Sequence, residues 1–232
     1  MGQTIHYNFD PSIIEIFLSL TQGASLILRP EDSHISEGFA QFVIDKQISS
    51  LALVPSSARL LLQGLEASQK TNLRIACCGG ERLSSALAQQ FQQKTKATLF
   101  NVYGPTEATI AASAWEYTAS FSGKMLPIGL PAENTSIYIL DNDLNNLPVN
   151  VEGEIFIAGN TLAQGYINHP ELQNQVFLTG NDNQSQLYRT GDKGYVGYDG
   201  LLYFSGRIDR QIKISGYRIE LDEIESLLQN HN

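Results

Sequence analysis

Cysteine is scarce in this sequence, and long hydrophobic runs are missing from it. The 232 residues contain two cysteines, the neighbours Cys77 and Cys78, and adjacent cysteines in an apolar run are a poor disulfide pair. This scarcity favours a reducing compartment. No apolar run approaches the roughly 18 residues of a membrane-spanning helix, and no secretory leader precedes the first predicted element. We therefore expect a cytoplasmic protein that has no membrane partner.

Positive charge is also in short supply. Lysine and arginine number 15 against 24 aspartates and glutamates, which gives a net charge of −9 and a pI near 4.9. A general nucleic-acid binder needs a basic face, so we expect no nucleic-acid partner. The content of 42% hydrophobic and 17% charged residues is typical of a globular protein, and the length allows one large domain or two modest ones.

The first half of the sequence alternates predicted helices and strands, which indicates parallel βαβ units. The predicted strands are SLILR, SSLALV, LRIACC and ATLFNV. The predicted helices are FDPSIIEIFLSLTQ, SEGFAQFVIDKQ, a segment after Pro55, and LSSALAQQFQQK. In the first of these, Asp10 suits the N-cap, Pro11 the first helical position and Gly23 the stop. Its apolar face is formed by Ile13, Ile16, Phe17 and Leu20.

After Trp115 the pattern changes to short strand candidates separated by Gly, Asn and Asp turns, which indicates an antiparallel, barrel-like subdomain. These candidates are TSIYILD, GEIFIAG, QLYRTGD, KGYVGYD and LLYFSGR. The stretch RQIKISGYRIELDEIESLLQ predicts two strand pieces running into a helix begun at Asp222 or Glu223. The expected fold class is α/β, a parallel βαβ subdomain followed by a β-rich one. We predict three regions, residues 1–115, 116–206 and 207–232.

Two loops of the α/β region follow predicted strands, and in parallel sheets ligands collect beyond the carboxyl ends of strands. One loop is GGE, after LRIACC, and the other is YGPTE, after ATLFNV. Glycines let the backbone approach a flat ligand, Tyr103 offers a stacking face, and Glu107 offers a hard oxygen ligand for Mg²⁺. Each loop taken alone is a weak signal, because a plain turn also explains it.

Four motifs in order along the chain carry a stronger signal. They are NVYGPTEATI, GEIFIAGNTLAQGY, YRTGD and GRIDRQIKISGYRIELDEIE. From about Phe9 onward the sequence resembles the adenylation domains of non-ribosomal peptide synthetases, within the superfamily of adenylate-forming enzymes. The resemblance implies part of an adenylate-forming core, which makes an aminoacyl adenylate from an amino acid and Mg²⁺-bound ATP. It also implies transfer to the phosphopantetheine thiol of a carrier protein.

The resemblance further implies a nucleotide site. Tyr103 matches the position that stacks on adenine, Thr106 faces the α-phosphate and Glu107 binds Mg²⁺, so Thr106 and Glu107 are the expected catalytic residues. Asp192 matches the residue that holds both ribose hydroxyls. Arg207 matches a second ribose contact, with a solvated surface arginine as the alternative. The expected nucleotide-binding set is Gly79, Gly80, Glu81, Asn101, Tyr103, Thr106, Asp192, Phe204 and Arg207.

The substrate pocket is read from the same resemblance. Asp10 matches the residue that pairs with the α-ammonium of an amino acid, although a helix N-cap would also explain it. The matching pocket positions are Asp10, Pro11, Ile14, Ala52, Cys77, Gly79, Val102, Ile110 and Ala111. Beyond Asp10 none is charged, so a charged substrate side chain would be left unpaired. We expect a sizeable apolar amino acid, with Cys77 as a pocket wall and not a nucleophile.

Two parts of the family pattern have no match in these residues. No Gly/Ser/Thr-rich phosphate loop ending in Lys precedes FDPS, and the family's C-terminal Lys has no match after Asp209, which matches the hinge between the two half-reactions. We therefore expect the 232 residues alone to be inactive, and the parent protein to work with a peptidyl carrier protein and neighbouring synthetase domains. Two alternatives stay open: a non-catalytic fragment that binds nucleotide or amino acid, and an acyl-CoA ligase. Asp10 and the GRID stretch argue against the ligase.

Overall fold

A computed structural model describes the protein over residues 1–29, 38–180, 186–214 and 217–229. By its internal contacts the chain divides into two compact units. The first comprises Met1–Tyr103 and Trp115–Leu126, and the second comprises Gly104–Ala114 and Pro127–Asn232. Each unit has its own hydrophobic core and is described by itself. The three regions predicted from the sequence, with boundaries after residues 115 and 206, stay a prediction.

The first unit is built on three parallel strands that pair in chain order. They are β3 (Ser50–Leu53), β4 (Ile75–Gly79) and β5 (Thr98–Tyr103). The helices between them are Pro55–Gly64 and Ser85–Thr95. Parallel neighbours require a crossover connection, and each helix provides one, which confirms the predicted βαβ units. Earlier in the chain, β1 (Gly2–Gln3) pairs in parallel with β2 (Ile27–Leu28).

The core of the first unit joins apolar side chains of these strands and helices. Leu51 and Leu99 come from the strands, and Leu61 and Phe91 from the helices; all four are at most 2% exposed. Another helix, Phe39–Asp45, contributes Val43 to the same core. The predicted start of that helix, SEG, falls partly outside the described residues, at 36–37.

The first helix begins at Pro11, as predicted, but differs from the prediction in its middle. It is one continuous run of three segments, Pro11–Ile13, Ile14–Leu18 and Ser19–Thr21, and the middle segment is a π-helix. Asp10 precedes this run, but it has helical backbone angles and its side chain makes no capping hydrogen bond. Asp10 therefore occupies the predicted N-cap position, but its side chain does not cap the helix.

The two faces of this helix are reversed relative to ordinary amphipathic packing. Ser12, Glu15 and Ser19 are 1%, 0% and 3% exposed. Phe17 and Leu20 are each 59% exposed. The apolar face predicted from the sequence exists, but within this chain the helix packs by its polar face. The N–H of Thr4 donates to the buried Glu15 carboxylate, and the buried Ser19 hydroxyl donates to the carbonyl oxygen of Glu15 within the helix.

The second unit contains an antiparallel sheet, which confirms the predicted β-rich part. Its strands are β8 (Thr135–Leu140), β9 (Gly153–Gly159), β10 (Phe177–Thr179), β11 (Gln186–Val196) and β12 (Leu202–Arg207). They pair in the order β10, β11, β9, β8, and β12 also pairs with β11. Phe156 of β9 and Leu187 of β11 are buried in its core.

Strand β11 unites two segments, QLYRTGD and KGYVGYD, that the sequence predicts as separate strands. Gly191 explains the difference, because its φ of 70° bends the chain inside the strand without ending it. A short helix, Pro170–Val176, and the pair β6 (Ser113–Glu116) and β7 (Leu130–Pro131) have no counterpart in the prediction.

The end of the described chain agrees with the prediction. Strands β13 (Ile212–Ile214) and β14 (Tyr217–Ile219) form an antiparallel pair. The helix Leu221–Gln229 follows, and it begins one residue before the predicted start. The fold class is thus α/β, with a parallel first unit and a β-rich second unit. No helix among the described residues combines the length and apolarity needed to cross a membrane.

Candidate active site

Glu107 lies in a tightly folded loop that follows β5. A 3-10 turn covers Thr106–Ala108, with Thr106 exposed and Glu107 only 6% exposed. The loop needs Gly104, because a Cβ at this position would lie 2.4 Å from the carbonyl oxygen of Ile110. The two residues expected to be catalytic therefore share one turn but differ in their access to solvent.

The same loop stores backbone strain. Thr109 and Ile110 have φ values of 56° and 74°, in the left-handed region that β-branched residues rarely adopt. Each such residue costs on the order of 1–3 kcal/mol, and strain of this kind clusters at active sites and ligand clamps. Ile110 and Ala111, both predicted pocket residues, lie in this strained turn and are half-buried.

Hydrogen bonds within the second unit fix both the side chain and the main chain of Glu107. The phenol of Tyr166 donates to Glu107 Oε1 at 2.5 Å. The N–H of Ala163 donates to the carbonyl oxygen of Glu107 at 2.8 Å, and Thr109 Oγ1 donates to the carbonyl oxygen of Thr161 at 2.5 Å. The segment that follows β9 therefore holds the loop that carries Glu107.

Asp192 is positioned by an irregularity in β11. The register of β11 with β9 shifts between Arg189 and Lys193. The buried carboxylate of Glu154 holds this shift, because it accepts hydrogen bonds from Arg189 Nε at 3.0 Å and from the N–H of Gly191 at 3.1 Å. Irregularities of this kind re-aim side chains and are common beside active sites.

Arg207 joins Asp192 to Asp209. Its Nη1 lies 2.6 Å from Asp192 Oδ1, and its Nε donates to Asp209 Oδ1 at 2.7 Å. Burial lowers the pKa of Arg207, but the hydrogen bonds and charges of the two carboxylates outweigh burial and raise that pKa above its usual value. With its side chain 15% exposed, Arg207 is not a solvated surface arginine. Phe204 lies on the same strand, half-buried and paired with Gly194.

The pocket residues of the first unit lie on neighbouring strands. Ala52 pairs in register with Cys77, and Gly79 pairs with Val102. A Cβ on Gly79 would lie 2.6 Å from the carbonyl oxygen of Val102, so a side chain fits there only if the backbone moves. Burial raises the pKa of the Cys77 thiol, which argues against a nucleophile.

The start of the first helix carries three predicted pocket residues, Asp10, Pro11 and Ile14. Glu15 anchors this part of the helix. Its buried carboxylate accepts hydrogen bonds from the N–H groups of Thr4 at 3.0 Å and Ile5 at 3.2 Å. Burial raises the pKa of Glu15 to about 7, although these hydrogen bonds lower it. Asp10 is half-buried, and helix capping does not account for its carboxylate.

The predicted nucleotide residues of the first unit lie at the ends of β4 and β5. Gly80, with a φ of 80°, turns the chain after β4. Glu81 accepts hydrogen bonds from the N–H and the hydroxyl of Ser56, both at 3.2 Å, and so stabilises the start of the helix Pro55–Gly64. Asn101 and Tyr103 are 4% and 8% exposed.

The structure groups the predicted residues within each unit and adds three that sequence reasoning missed. Tyr166, Glu154 and Glu15 each hold a segment that carries a predicted site residue. The sequence offered a faint signal for two of them: Tyr166 ends the motif GEIFIAGNTLAQGY, and Glu15 stands alone among apolar residues of the first helix. The placement of the substrate pocket and nucleotide residues stays a prediction.

Comparison with known proteins gives a consistent result. A protein-family model described as AMP-binding enzyme matches residues 3–167. Tyrocidine synthase 1 of Brevibacillus parabrevis is 40% identical over 237 residues, and gramicidin S synthase 1 of Brevibacillus brevis is 38% identical over 237 residues. Each alignment covers 100% of this chain and 21% of the relative.

Solved structures agree with these relatives. The Vibrio cholerae adenylation domain AlmE in complex with glycyl-adenosine-5'-phosphate is 33% identical, with a TM-score of 0.90. Holo-PA1221, a non-ribosomal peptide synthetase protein containing adenylation and PCP domains, is 26% identical, with a TM-score of 0.89. These superpositions cover 99% and 100% of this chain but 44% and 41% of the solved chains. The chain therefore spans less than half the length of either structure.

Proposed function

Because this chain belongs to the family of AMP-binding enzymes, we propose that it supplies the central part of an amino-acid-activating adenylation domain of a non-ribosomal peptide synthetase. In the reaction, a carboxylate oxygen of the amino acid attacks the α-phosphorus of ATP. The new O–P bond forms as the bond to pyrophosphate breaks, so the products are aminoacyl-AMP and pyrophosphate. The observation that carries the proposal is the buried Glu107, fixed by Tyr166 on a strained turn beside the exposed Thr106.

The residues on this turn fit a Mg²⁺ ion brought by ATP. Glu107 offers carboxylate oxygens, and Mg²⁺ is commonly held by one or two carboxylates together with substrate phosphates and water. In the part of the chain that the structure describes, no group of three or more His, Cys, Asp or Glu side chains could hold a metal alone. The phosphates would therefore complete the coordination. When bound, the ion neutralises charge on the reacting phosphates, while Thr106 donates to the α-phosphate.

The second unit also supports a ribose contact. Asp192 is only 4% exposed and is oriented by the irregularity in β11 and by Arg207. A carboxylate accepts two hydrogen bonds readily, which suits a vicinal diol. In this proposal Tyr103 stacks on adenine. The remaining nucleotide contacts are assigned to Gly79, Gly80, Glu81, Asn101 and Phe204.

For the amino acid, we assign Asp10 to the α-ammonium. Its carboxylate is not used to cap the first helix, and an ammonium removed from water needs an opposite charge. The other proposed lining residues carry no charge, which favours a sizeable apolar side chain. They are Pro11, Ile14, Ala52, Cys77, Gly79, Val102, Ile110 and Ala111.

We further propose a carrier-protein partner. The solved protein PA1221 contains adenylation and PCP domains, which supports transfer to a phosphopantetheine thiol and neighbouring synthetase domains as partners. Asp209 would be the hinge between the two half-reactions. The 232 residues alone are proposed to lack turnover, since the family's phosphate loop and late lysine have no counterpart among them.

Amino-acid-dependent exchange of labelled pyrophosphate into ATP tests the proposal. It is run with the complete product of the gene that encodes this chain and with the 232 residues alone. Glu107→Gln should lower exchange roughly 100-fold or more, because the metal loses an anionic ligand where charge builds up. The matched control Glu133→Gln, an exposed glutamate, should behave as wild type. Exchange with fatty acids and with no amino acid would support the acyl-CoA ligase alternative and overturn the proposal.

A further inference from the structure

The contact between Tyr166 and Glu107 links two motifs, and no role in the reaction has been assigned to Tyr166 itself. Its phenol donates to Glu107 Oε1 at 2.5 Å, although the two residues are 59 positions apart in the chain. An O–H···O⁻ hydrogen bond of 2.5–2.7 Å is charge-assisted and roughly twice as strong as a neutral one. We infer that Tyr166 is a positioning residue that presents the Glu107 carboxylate to the metal-bound nucleotide; this inference rests on the proposed function.

Aromatic packing holds the ring of Tyr166 in place. It packs edge-on against Phe177 with ring centroids 5.9 Å apart, and Phe177 packs in turn against Tyr188 at 5.1 Å. Phe177 and Tyr188 are 9% and 2% exposed, so the row of rings is anchored in the second unit. Packing explains where the ring lies. It does not require the hydroxyl to meet a carboxylate, so the contact with Glu107 is a separate feature.

The backbone before Tyr166 is also shaped for this contact. Gly165 has a φ of 141°, and a Cβ there would lie 2.2 Å from the side chain of Gln173. Gly165 lies two residues after Ala163, whose N–H donates to the carbonyl oxygen of Glu107. The same short segment therefore fixes the main chain of Glu107 at one end and its carboxylate at the other.

The hydrogen bond from Tyr166 would orient the Glu107 carboxylate for metal binding. A carboxylate that coordinates a metal performs best when a second hydrogen bond sets its orientation, and loss of such a bond typically costs about 10–100-fold in metal affinity or activity. A carboxylate has about four lone-pair sites, so a hydrogen bond from a phenol is compatible with metal coordination. The strained Ile110 turn lies three residues away and restricts the main chain in the same way.

The test measures metal binding directly as well as turnover. In the complete gene product with a non-hydrolysable ATP analogue present, Mn²⁺ is titrated and the free ion is followed by electron paramagnetic resonance. Tyr166→Phe, which keeps the ring and removes the hydroxyl, should weaken Mn²⁺ binding about 10-fold and raise the Mg²⁺ concentration needed for half-maximal exchange by a similar factor. Tyr203→Phe is the matched control, since its phenol also donates to a carboxylate, that of the exposed Asp199, at 2.7 Å.

A double-variant cycle separates positioning from folding. If Tyr166 acts through Glu107, then Tyr166→Phe should add no loss of Mn²⁺ binding in a Glu107→Gln background. An equal further loss in that background would mean a structural role and would overturn the inference. Wild-type Mn²⁺ binding by Tyr166→Phe, with a clear loss in Glu107→Gln, would overturn this inference alone. Wild-type binding by Glu107→Gln would overturn the metal placement under the proposed function, and this inference with it.

Discussion

Arg207 and Asp192 form a partly buried ion pair, with Arg207 Nη1 2.6 Å from Asp192 Oδ1, on strands that pair with each other at these two residues. The guanidinium also binds the carboxylate of Asp209 through Nε and Nη2. The residue proposed to hold ribose and the residue proposed as the hinge therefore share one cation. A change at either carboxylate is expected to affect the other through Arg207.

Asp192→Asn should raise the KM for ATP about 10-fold, with a smaller effect on kcat. Hydrogen bonds to charged groups contribute roughly 1.5–3 kcal/mol, and an amide offers ribose one weaker acceptor. Pyrophosphate exchange at varied ATP measures the change. Asp199→Asn is the matched control on the exposed turn before β12. An unchanged KM for Asp192→Asn would contradict the ribose assignment.

Asp209→Pro should leave adenylation largely intact and abolish loading of the carrier protein. Proline fixes φ and removes the N–H at the proposed turning point, so the chain cannot adopt a second backbone state there. Asp209→Ala is the control, because it loses the same contacts with Arg207 but keeps backbone freedom. Exchange and thioester formation are measured side by side. Loss of both half-reactions in Asp209→Pro would mean damage to the fold.

Glu15 should make the stability of the first unit fall as the pH rises. The pKa of Glu15 is about 7 when folded and 4.5 in its ordinary state, so the folded protein binds the extra proton between these values. Stability is therefore fully present below about pH 4.5 and is lost as the pH rises through 7, by roughly 3 kcal/mol at most.

Glu15→Gln tests this dependence, because glutamine keeps an acceptor for Thr4 but cannot ionise. Arg29 is the charged group whose field acts on Glu15, and its charge opposes the rise in pKa. Urea unfolding at several pH values between about 5 and 8 should show a smaller decline in the variant than in the wild type. Parallel pH curves for the two proteins would refute the assignment.

The proposed pocket makes a prediction about the amine. Asp10→Ala should lower exchange with phenylalanine at least 10-fold, because the α-ammonium would be desolvated without a partner, and should spare 3-phenylpropanoic acid, which lacks the amine. A panel of Gly, Asp, Lys, Leu, Phe and Tyr should rank an apolar residue first in the wild type. Asp or Lys at the head of that ranking would show that the pocket positions are misaligned.

Pocket volume should be tested at Ala111, not at Gly79. A side chain on Gly79 would clash with the carbonyl oxygen of Val102. A loss of activity in a Gly79 variant would therefore reflect a displaced backbone and not the volume of the pocket. Ala111→Trp should exclude bulky substrates while small ones are still exchanged. Uniform loss of exchange with every amino acid, at unchanged thermal stability, would argue against Ala111 as a pocket wall.

Local patterns in the sequence predicted the strands and helices well where the chain followed simple periodicity. The failures have physical causes. Hydrophobic periodicity identifies the apolar face of the first helix, but it does not say which face is covered, and here Glu15 binds the backbone of Thr4 and Ile5. In β11 a glycine was read as a turn, whereas Gly191 adopts a positive φ inside a continuous strand.

The candidate site was predictable only as far as its motifs reach. Glu107 and Asp192 stand in motifs that resemble a known family, so a role could be assigned to each. Their supports could not be found in this way. Tyr166 binds Glu107 from 59 positions along the chain, and Glu154 accepts from the N–H of Gly191, the neighbour of Asp192, 37 positions away, and only the fold sets those pairings. Long-range hydrogen bonds leave no local periodicity in the sequence.

The reversed first helix changes how variants of this protein should be chosen. More soluble variants are usually made by replacing exposed apolar residues. The apolar face of an amphipathic helix is left unchanged, because it is normally buried. Within these 232 residues Phe17 and Leu20 are each 59% exposed, whereas Ser12 and Ser19 are buried. For these residues, a helical wheel alone would therefore assign the buried and the exposed side of the helix the wrong way round.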